Sequence, residues 1–341
     1  MEGLVTVPPE HLRLSPNELV LFPQPGFLAP YMLVKRKLED TDGEEYISEY
    51  GAILLRINTL VNGKINLVRN KVLSGKYDSN RQVNWTFLDT PEIDEYPTID
   101  LFSDRVFPGQ AFVRDLFVKL DGITFINSEY LPDFKEEEGY LHSPLGVGGK
   151  VLHAGRSLIV SEDLRQNPLA RRHLEMLKTK GYKIGYIPHV RTERQPEGKR
   201  NFVEDHIDGH SNLIRDNKGK TYFLYSKSYA RQGGKAAREL RQAADFAKAV
   251  DIEIDDKDLP FLAFNFLQLR DGTVILSATS AQNGQTKLRS RLESVLIEIL
   301  GKDKVVTTEI PITRISSDLG GSIRCLTNIG TSQLIAKILG Q

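Results

Sequence analysis

The sequence contains very little cysteine: among its 341 residues Cys325 is the only one. A single cysteine cannot form an intramolecular disulfide, so the fold must depend on its hydrophobic core. Long apolar runs are also missing, since no stretch approaches the roughly 20 apolar residues that span a bilayer. The first 25 residues carry five prolines and no apolar h-region, so no signal peptide is apparent. These absences lead us to expect a cytoplasmic protein that does not act at a membrane.

An excess of charge of one sign is missing as well. Lys and Arg number 45, and Asp and Glu also number 45. This balance gives no support to nucleic-acid binding. One local exception, HVRTERQPEGKR (189–200), is interpreted as a solvated basic loop. Nothing in the sequence indicates an oligomeric state, so a homo-oligomer stays open.

What the sequence does contain is an internal repeat. From about residue 107, a unit recurs that consists of an apolar strand, a turn with Gly, a second strand, an amphipathic helix and a further strand. Its predicted opening strands lie at 110–120, 202–214, 262–270 and 320–330. The less regular N-terminal third supplies another copy from predicted strands at 49–57, 63–73 and 83–89. Alternating strand pairs and helices indicate an α/β architecture with radial or layered repetition.

Local signals define one helix of this repeat well. Asn167 followed by Pro168 is typical of a helix N-cap and first turn, and Gly181 is typical of a helix end. We therefore predict a helix over about 167–181, with further helices over 234–250 and 286–301.

The opening strands carry residues that packing alone would not select. These are Arg114 and Asp115, the cluster EDHIDGH (204–210), and Cys325. In a regular strand His206, Asp208 and His210 would share one face. Three interpretations of that cluster stay open: an exposed polar face, a metal site that lacks a clear fourth ligand, and a general acid/base histidine beside a carboxylate. Together with Cys325, the cluster also fits a thiol nucleophile served by a separate histidine.

The order of these motifs resembles the guanidino-group-modifying enzymes, the superfamily of arginine deiminase, dimethylargininase and amidinotransferase, also called penteins. The resemblance rests on FVRDLFVKLDGITFI, HID and GGSIRCLTN, and it covers roughly residues 105–341. It implies a five-bladed α/β propeller of ββαβ-type units around a central active site. The whole chain, 1–341, would then be one domain, with an irregular extension and first blade in 1–105 and the remaining blades in 106–341.

The resemblance also implies roles for individual residues. Cys325 would be the nucleophile, His206 the general acid/base, and Asp115 and Asp208 the carboxylates that bind a guanidinium, while Asn265 is a weaker match. No metal or organic cofactor would be needed, and the partner would be a small guanidino compound, with a peptidyl arginine left open. We therefore expect a hydrolase that acts on an arginine-like compound through a covalent amidino-thioether on Cys325. An amidinotransferase with the same site, and a non-catalytic or ureido-specific binding protein, stay as alternatives.

One stretch departs from the pattern of the superfamily. Many members carry Glu-Gly-Gly-Asp where this chain has Val147, Gly148, Gly149 and Lys150. A positive charge at that place would repel a guanidinium. Lys150 then either points away and is structural, or pairs with a carboxylate of the substrate or another anion, or reflects a changed substrate or lost activity. We include Lys150 among the predicted substrate-binding residues.

Overall fold

The computed structural model of the chain describes residues 14, 17–23, 53–70, 98–101, 113–187, 206–227, 230, 236–254, 264–269, 271–278, 286–311 and 322–338. The strands in this part are β1 (Glu18–Pro23), β2 (Ile65–Asn70), β3 (Thr98–Leu101), β4 (Phe117–Leu120), β5 (Ile123–Ile126), β6 (Tyr140–His142), β7 (Val151–Ala154), β8 (Ser157–Ser161), β9 (Lys183–Ile187), β10 (Ser211–Arg215), β11 (Thr221–Ser226), β12 (Val250–Ile254), β13 (Leu267–Gln268), β14 (Val274–Ala278), β15 (Val305–Pro311) and β16 (Asn328–Thr331). The helices include Glu162–Gln166, Pro168–Thr179, Ala236–Phe246, Thr286–Leu300, Ile323–Leu326 and Ser332–Ile338, and residues 53–60 are helical as well.

These strands form five small sheets with one shared topology. In β4-β5-β6, β7-β8-β9, β10-β11-β12 and β13-β14-β15, the first strand is antiparallel to the second and the second is parallel to the third. In the remaining sheet β16 is antiparallel to β1, β1 is parallel to β2, and β3 lies parallel to β2. The predicted C-terminal copy and N-terminal copy are therefore one unit, because β16 provides the opening strand for the N-terminal strands.

Local sequence signals explain the turns and the helix ends. Asp121 and Gly122 both have positive φ, 39° and 81°, as a two-residue hairpin loop between β4 and β5 requires. The Oδ1 atom of Asn167 accepts the backbone N–H groups of Leu169 and Ala170 at 3.0 and 3.1 Å, which caps the helix Pro168–Thr179. Gly181 follows that helix with a φ of 85°. The predicted start and end of this helix are confirmed.

Four clusters of buried apolar side chains join consecutive sheets. Leu21 of β1, Phe117 of β4 and Leu334 of the last helix share one cluster. The next joins β4-β5 to β7-β8 and the helix Pro168–Thr179, a third joins β7-β8 to β10-β11 and the helix Ala236–Phe246, and a fourth joins β10-β11 to β14 and the helix Thr286–Leu300. Burying each large apolar side chain contributes about 1.5–3 kcal/mol. The amphipathic helices and the apolar strands of the repeat thus form layers between neighbouring sheets.

Two kinds of strand prediction are wrong. Residues 53–60, which overlap the second half of the predicted strand 49–57, are helical. The spacing of buried Ile53, Ile57, Leu60 and Val61 is the helical period that the strand prediction overlooked. The predicted opening strands also begin too early. Their first residues form the 3-10 turn Val113–Asp115, a turn at 207–210 and the helical turn Ile323–Leu326. The predicted strand 83–89 lies outside the described residues. Among the described helices, none combines the length and the apolar character needed to cross a membrane.

Candidate active site

The chemically distinctive residues lie on five equivalent segments, each of which precedes the opening strand of a sheet. They are Asp115 before β4, the turn Gly148–Lys150 before β7, His206 and Asp208 before β10, Asn265 before β13, and Cys325 before β16. The helical turn Ile323–Leu326 packs against the turn Val113–Asp115, which in turn packs against Gly148–Lys150. Backbone groups in these segments bond between sheets rather than along a ladder, as the N–H of Arg324 does with the carbonyl of Asn265 at 3.2 Å. This arrangement explains why the site residues are not on strands.

Asp115 and His206 are brought together by Gly149. One oxygen of Asp115, Oδ1, accepts the Gly149 N–H at 3.0 Å, and the other, Oδ2, lies 3.8 Å from Nε2 of His206. The carbonyl of Gly149 accepts the N–H of Ile207 at 2.8 Å. A Cβ atom at position 149 would lie only 2.2 Å from Nδ1 of His206. Glycine is therefore required here because the imidazole approaches the backbone closely.

Asp208 faces a buried guanidinium of the protein itself. Its Oδ2 lies 3.4 Å from Nε of Arg324, and both side chains are buried. These two atoms are within ion-pair distance but lack the alignment of a hydrogen bond, and among the described residues neither has another hydrogen-bond partner. Burial raises the pKa of Asp208, and the charges of Arg324, His206 and Arg114 oppose that rise. Asp208 therefore retains an acceptor oxygen that no hydrogen bond satisfies.

Cys325 is held at two points by one amide side chain. The Nδ2 group of Asn265 donates to Sγ of Cys325 at 3.1 Å, and Oδ1 of Asn265 accepts the Cys325 N–H at 3.0 Å. The thiol is buried, with 3% of the residue exposed. Burial raises the pKa of Cys325 well above its usual value, and the carboxylates of Asp208 and Asp115 add to the rise. In the ligand-free protein the sulfur is therefore a thiol, and a cation bound beside it would favour the thiolate.

Three basic side chains lie around this group: sequence reasoning missed Arg324 and His153, and it singled out Arg114 without giving it a role. Arg324 and Arg114 are buried. Burial is the larger cause and repulsion from the charge of Arg324 the smaller one of the fall in the pKa of Arg114 to about 9. Burial, with the two arginines adding, lowers the pKa of His153 to about 3, so this imidazole is neutral. An arginine within a largely apolar stretch, as in FVRDLFV and SIRCL, is the signal that could have revealed the two buried cations, because such a stretch is usually buried and arginine is rarely buried without a partner.

Lys150 does not join this group. Its Nζ lies 2.6 Å from Oδ2 of Asp163, at the start of the helix Glu162–Gln166, and both side chains are partly exposed. Of the three explanations given for Lys150, this contact agrees with a structural role. Its assignment as a substrate-binding residue stays a prediction without support from this geometry.

The cluster 206–210 also differs from the predicted strand face. Residues 207–210 form a turn, so a period of two does not relate His206, Asp208 and His210. The carbonyl of His210 accepts the N–H of Ser226 at 3.0 Å, which anchors the end of the turn to β11. Within the described ranges, no group of three or more His, Cys, Asp or Glu side chains could hold a metal ion. Glu204, Asp205, Gly320 and Gly321 lie outside the described residues.

Comparison with solved structures identifies the fold class. The chain is similar to an agmatine deiminase from C. jejuni with substrate bound (TM-score 0.55, 12% identity, 93% of this chain and 94% of that one). It is also similar to a dimethylarginine dimethylaminohydrolase in an adduct with S-methyl-L-thiocitrulline (TM-score 0.52, 13% identity, 91% and 98%). A DDAH from Pseudomonas aeruginosa complexed with citrulline matches with a TM-score of 0.50 at 12% identity, over 91% of this chain and 98% of that one. No protein-family model and no curated protein matches.

These likenesses establish a shared fold. The chain shares its α/β fold with the agmatine deiminase and the dimethylarginine dimethylaminohydrolase, and the resemblance inferred from its motifs is confirmed at the level of the fold. Its candidate site lies on the five segments that lead into the opening strands of those units.

Proposed function

We propose that the protein is a cysteine-dependent hydrolase that acts on the guanidino group of arginine or an arginine-like small molecule. The observation that carries the proposal is the buried group in which Cys325, fixed by Asn265, lies under the influence of the Asp115 and Asp208 carboxylates, with His206 beside Asp115. The structural neighbours support the substrate class, because they include a deiminase of agmatine and a hydrolase of dimethylarginine.

The same proposal includes the architecture. We place the five sheets as blades of a propeller around the site, in a single domain that spans residues 1–341. The clusters shared by consecutive sheets support this arrangement. So does the pairing of β16 with β1, which joins the two ends of the chain in one sheet. A cytoplasmic location stays a prediction.

In the first half of the reaction, Asp115 and Asp208 accept hydrogen bonds from the planar guanidinium and fix its orientation. The bound cation lowers the pKa of Cys325, the thiol passes its proton to His206, and Sγ attacks the guanidinium carbon. The tetrahedral adduct then breaks one C–N bond. His206 donates a proton to the departing amine, and an amidino-thioether remains on Cys325.

In the second half, His206 takes a proton from a water molecule that attacks the same carbon. The C–S bond breaks, the electron pair returns to sulfur, and a ureido product leaves. If an amine attacks in place of water, the same site carries out amidino transfer, which is the alternative within catalysis. A ureido-binding protein without activity is the alternative outside catalysis, and the loss of both acids around Gly148 and Gly149 motivates it.

A screen of guanidino and ureido compounds, with detection of released ammonia and urea, tests the proposal. The unmodified protein should release one of these products from at least one guanidino compound, and Cys325→Ser should release none. Repeating the assay with added amine acceptors separates hydrolysis from amidino transfer. Full turnover by Cys325→Ser would reject the proposed mechanism.

A further inference from the structure

We propose that Arg324 is a built-in counter-cation of the site, a positioning residue that fixes Asp208 and Cys325 and keeps both able to ionise. The inference rests on the proposed function, because Asp208 and Cys325 are the groups on which it acts. Arg324 is the residue directly before Cys325, on the same helical turn Ile323–Leu326. A displacement of its guanidinium would therefore move the thiol as well.

Two nitrogen atoms of the guanidinium donate hydrogen bonds to two different segments, and the third faces Asp208. Nη1 donates to Oδ1 of Asn212 at 3.0 Å, and Nη2 donates to the carbonyl of Val151 at 2.8 Å. These contacts direct Nε toward Oδ2 of Asp208 at 3.4 Å. The fork-shaped group thus makes two hydrogen bonds in fixed directions while its charge faces Asp208, a combination that the single ammonium of a lysine could not reproduce.

Asn212 extends the same connection to the segment that holds the thiol. Its Nδ2 group donates to the carbonyls of Phe264 and Phe266, at 2.8 and 3.1 Å, on either side of Asn265. Arg324, Asn212 and the 264–266 segment therefore form one hydrogen-bonded unit around Cys325. These buried hydrogen bonds fix the position of Arg324 relative to Cys325, which a surface ion pair would not do.

The charges in this region also require a cation. The titratable and charged groups that act on Asp208 or Cys325 come from several segments: Arg114, Asp115, His206, Asp208, Cys325 and Arg324. Two buried carboxylates, Asp115 and Asp208, are balanced by two buried guanidinium groups, those of Arg114 and Arg324. Burial opposes ionisation of Asp208 and of Cys325, and Arg324 favours it for Asp208. Without Arg324, one of the two acids would take up a proton.

The rate at which 2-chloroacetamidine labels Cys325 measures how readily these acids ionise, since the reagent is cationic and Cys325 is the only cysteine. Labelling requires the thiolate, and binding of the cation is favoured by an ionised Asp208. Whichever acid takes up the proton, Arg324→Gln should move the pH profile of labelling upward and slow labelling at pH 8 by about tenfold or more. Arg324→Lys keeps the positive charge, so it should slow labelling less than Arg324→Gln does.

Arg156→Gln is the matched control. Arg156 also directs its Nε to an Asp oxygen, Oδ2 of Asp121 at 3.3 Å, but on the exposed surface. This variant should label like the unmodified protein. An Arg324→Gln protein that folds and labels with an unchanged pH profile would overturn the proposal. So would an Arg324→Lys protein as impaired as Arg324→Gln, since that result would reduce Arg324 to a packing role.

The double variant Arg324→Gln/Asp208→Asn keeps the test decisive if Arg324→Gln folds poorly. Removing Asp208 eliminates the charge that lacks a partner, so the double variant should resist urea unfolding better than Arg324→Gln alone. A double variant no more stable than the single one would contradict the inference. None of these measurements needs turnover, so a shifted labelling profile in a protein that turns over no guanidino compound would reject the hydrolase and retain the role of Arg324.

Discussion

Replacing Gly149 with Ala tests whether the Gly-Gly turn positions the general acid/base. The added Cβ would lie 2.2 Å from Nδ1, 2.5 Å from Cγ and 2.7 Å from Cε1 of His206. Ordinary contact begins near 3.4 Å, so the imidazole must shift by about 1 Å, which changes its position relative to Asp115. Gly149 does not have positive φ, so backbone strain does not contribute. A displacement of about 1 Å in a reacting group is sufficient to lower turnover by about 100-fold.

We expect Gly149→Ala to lower kcat/KM by that factor for the guanidino compound that the screen identifies. Urea unfolding should show a loss of about 1–3 kcal/mol, the usual cost of overpacking. Gly330→Ala is the control, because its Cβ would meet no atom closer than 3.5 Å. It should change neither quantity appreciably. Full turnover and undiminished stability in Gly149→Ala would refute the close approach of His206 to the turn.

Three further predictions concern the thiol and the lysine. Asn265→Ala removes the donor to Sγ and the acceptor of the Cys325 N–H. Labelling of Cys325 by chloroacetamide at pH 8 should therefore slow by about tenfold. An unchanged rate would exclude Asn265 from thiolate stabilisation. In the unmodified, ligand-free protein, burial raises the pKa of Cys325, so the labelling rate should still be rising with pH at pH 9, and a plateau near pH 7 would contradict this. Lys150→Met breaks a partly exposed ion pair with Asp163, so it should lower the free energy of unfolding in urea by about 1 kcal/mol or less. It should also leave KM within about twofold of the unmodified protein. A large rise in KM would instead give Lys150 the substrate-binding role.

Much of the repeating fold could be predicted from the sequence, because its signals are local. Asn167 caps a helix through its own side chain, and Asp121-Gly122 closes a hairpin with its own backbone angles. The pairing of β16 with β1 could not be predicted in this way. It joins residues at opposite ends of the chain, as in the register of Leu19 with Gly330, and no local pattern encodes a contact of that separation.

The grouping of the candidate site residues could be predicted better than their local structure. The motif order singled out Asp115, His206, Asp208 and Cys325, and the structure places them on equivalent segments. A strand was predicted for each because apolar residues flank them. These segments instead form turns because their backbone groups bond to neighbouring segments, as Ile207 does with Gly149. The role of Arg324 depends on contacts with Asn212 and Val151, more than 100 positions away, so the sequence could not reveal it.

Cys325 is proposed to be a nucleophile beside carboxylates that bind a planar cation, and its reaction with two reagents of different charge tests this most directly. Intact-mass analysis compares its labelling by cationic 2-chloroacetamidine and by neutral chloroacetamide, in the unmodified protein and in Asp208→Asn. We expect one adduct per chain, at Cys325, formed at least about tenfold faster with the cationic reagent, and loss of that preference in Asp208→Asn. Equal rates for the two reagents, unaffected by the loss of Asp208, would refute this role of Cys325.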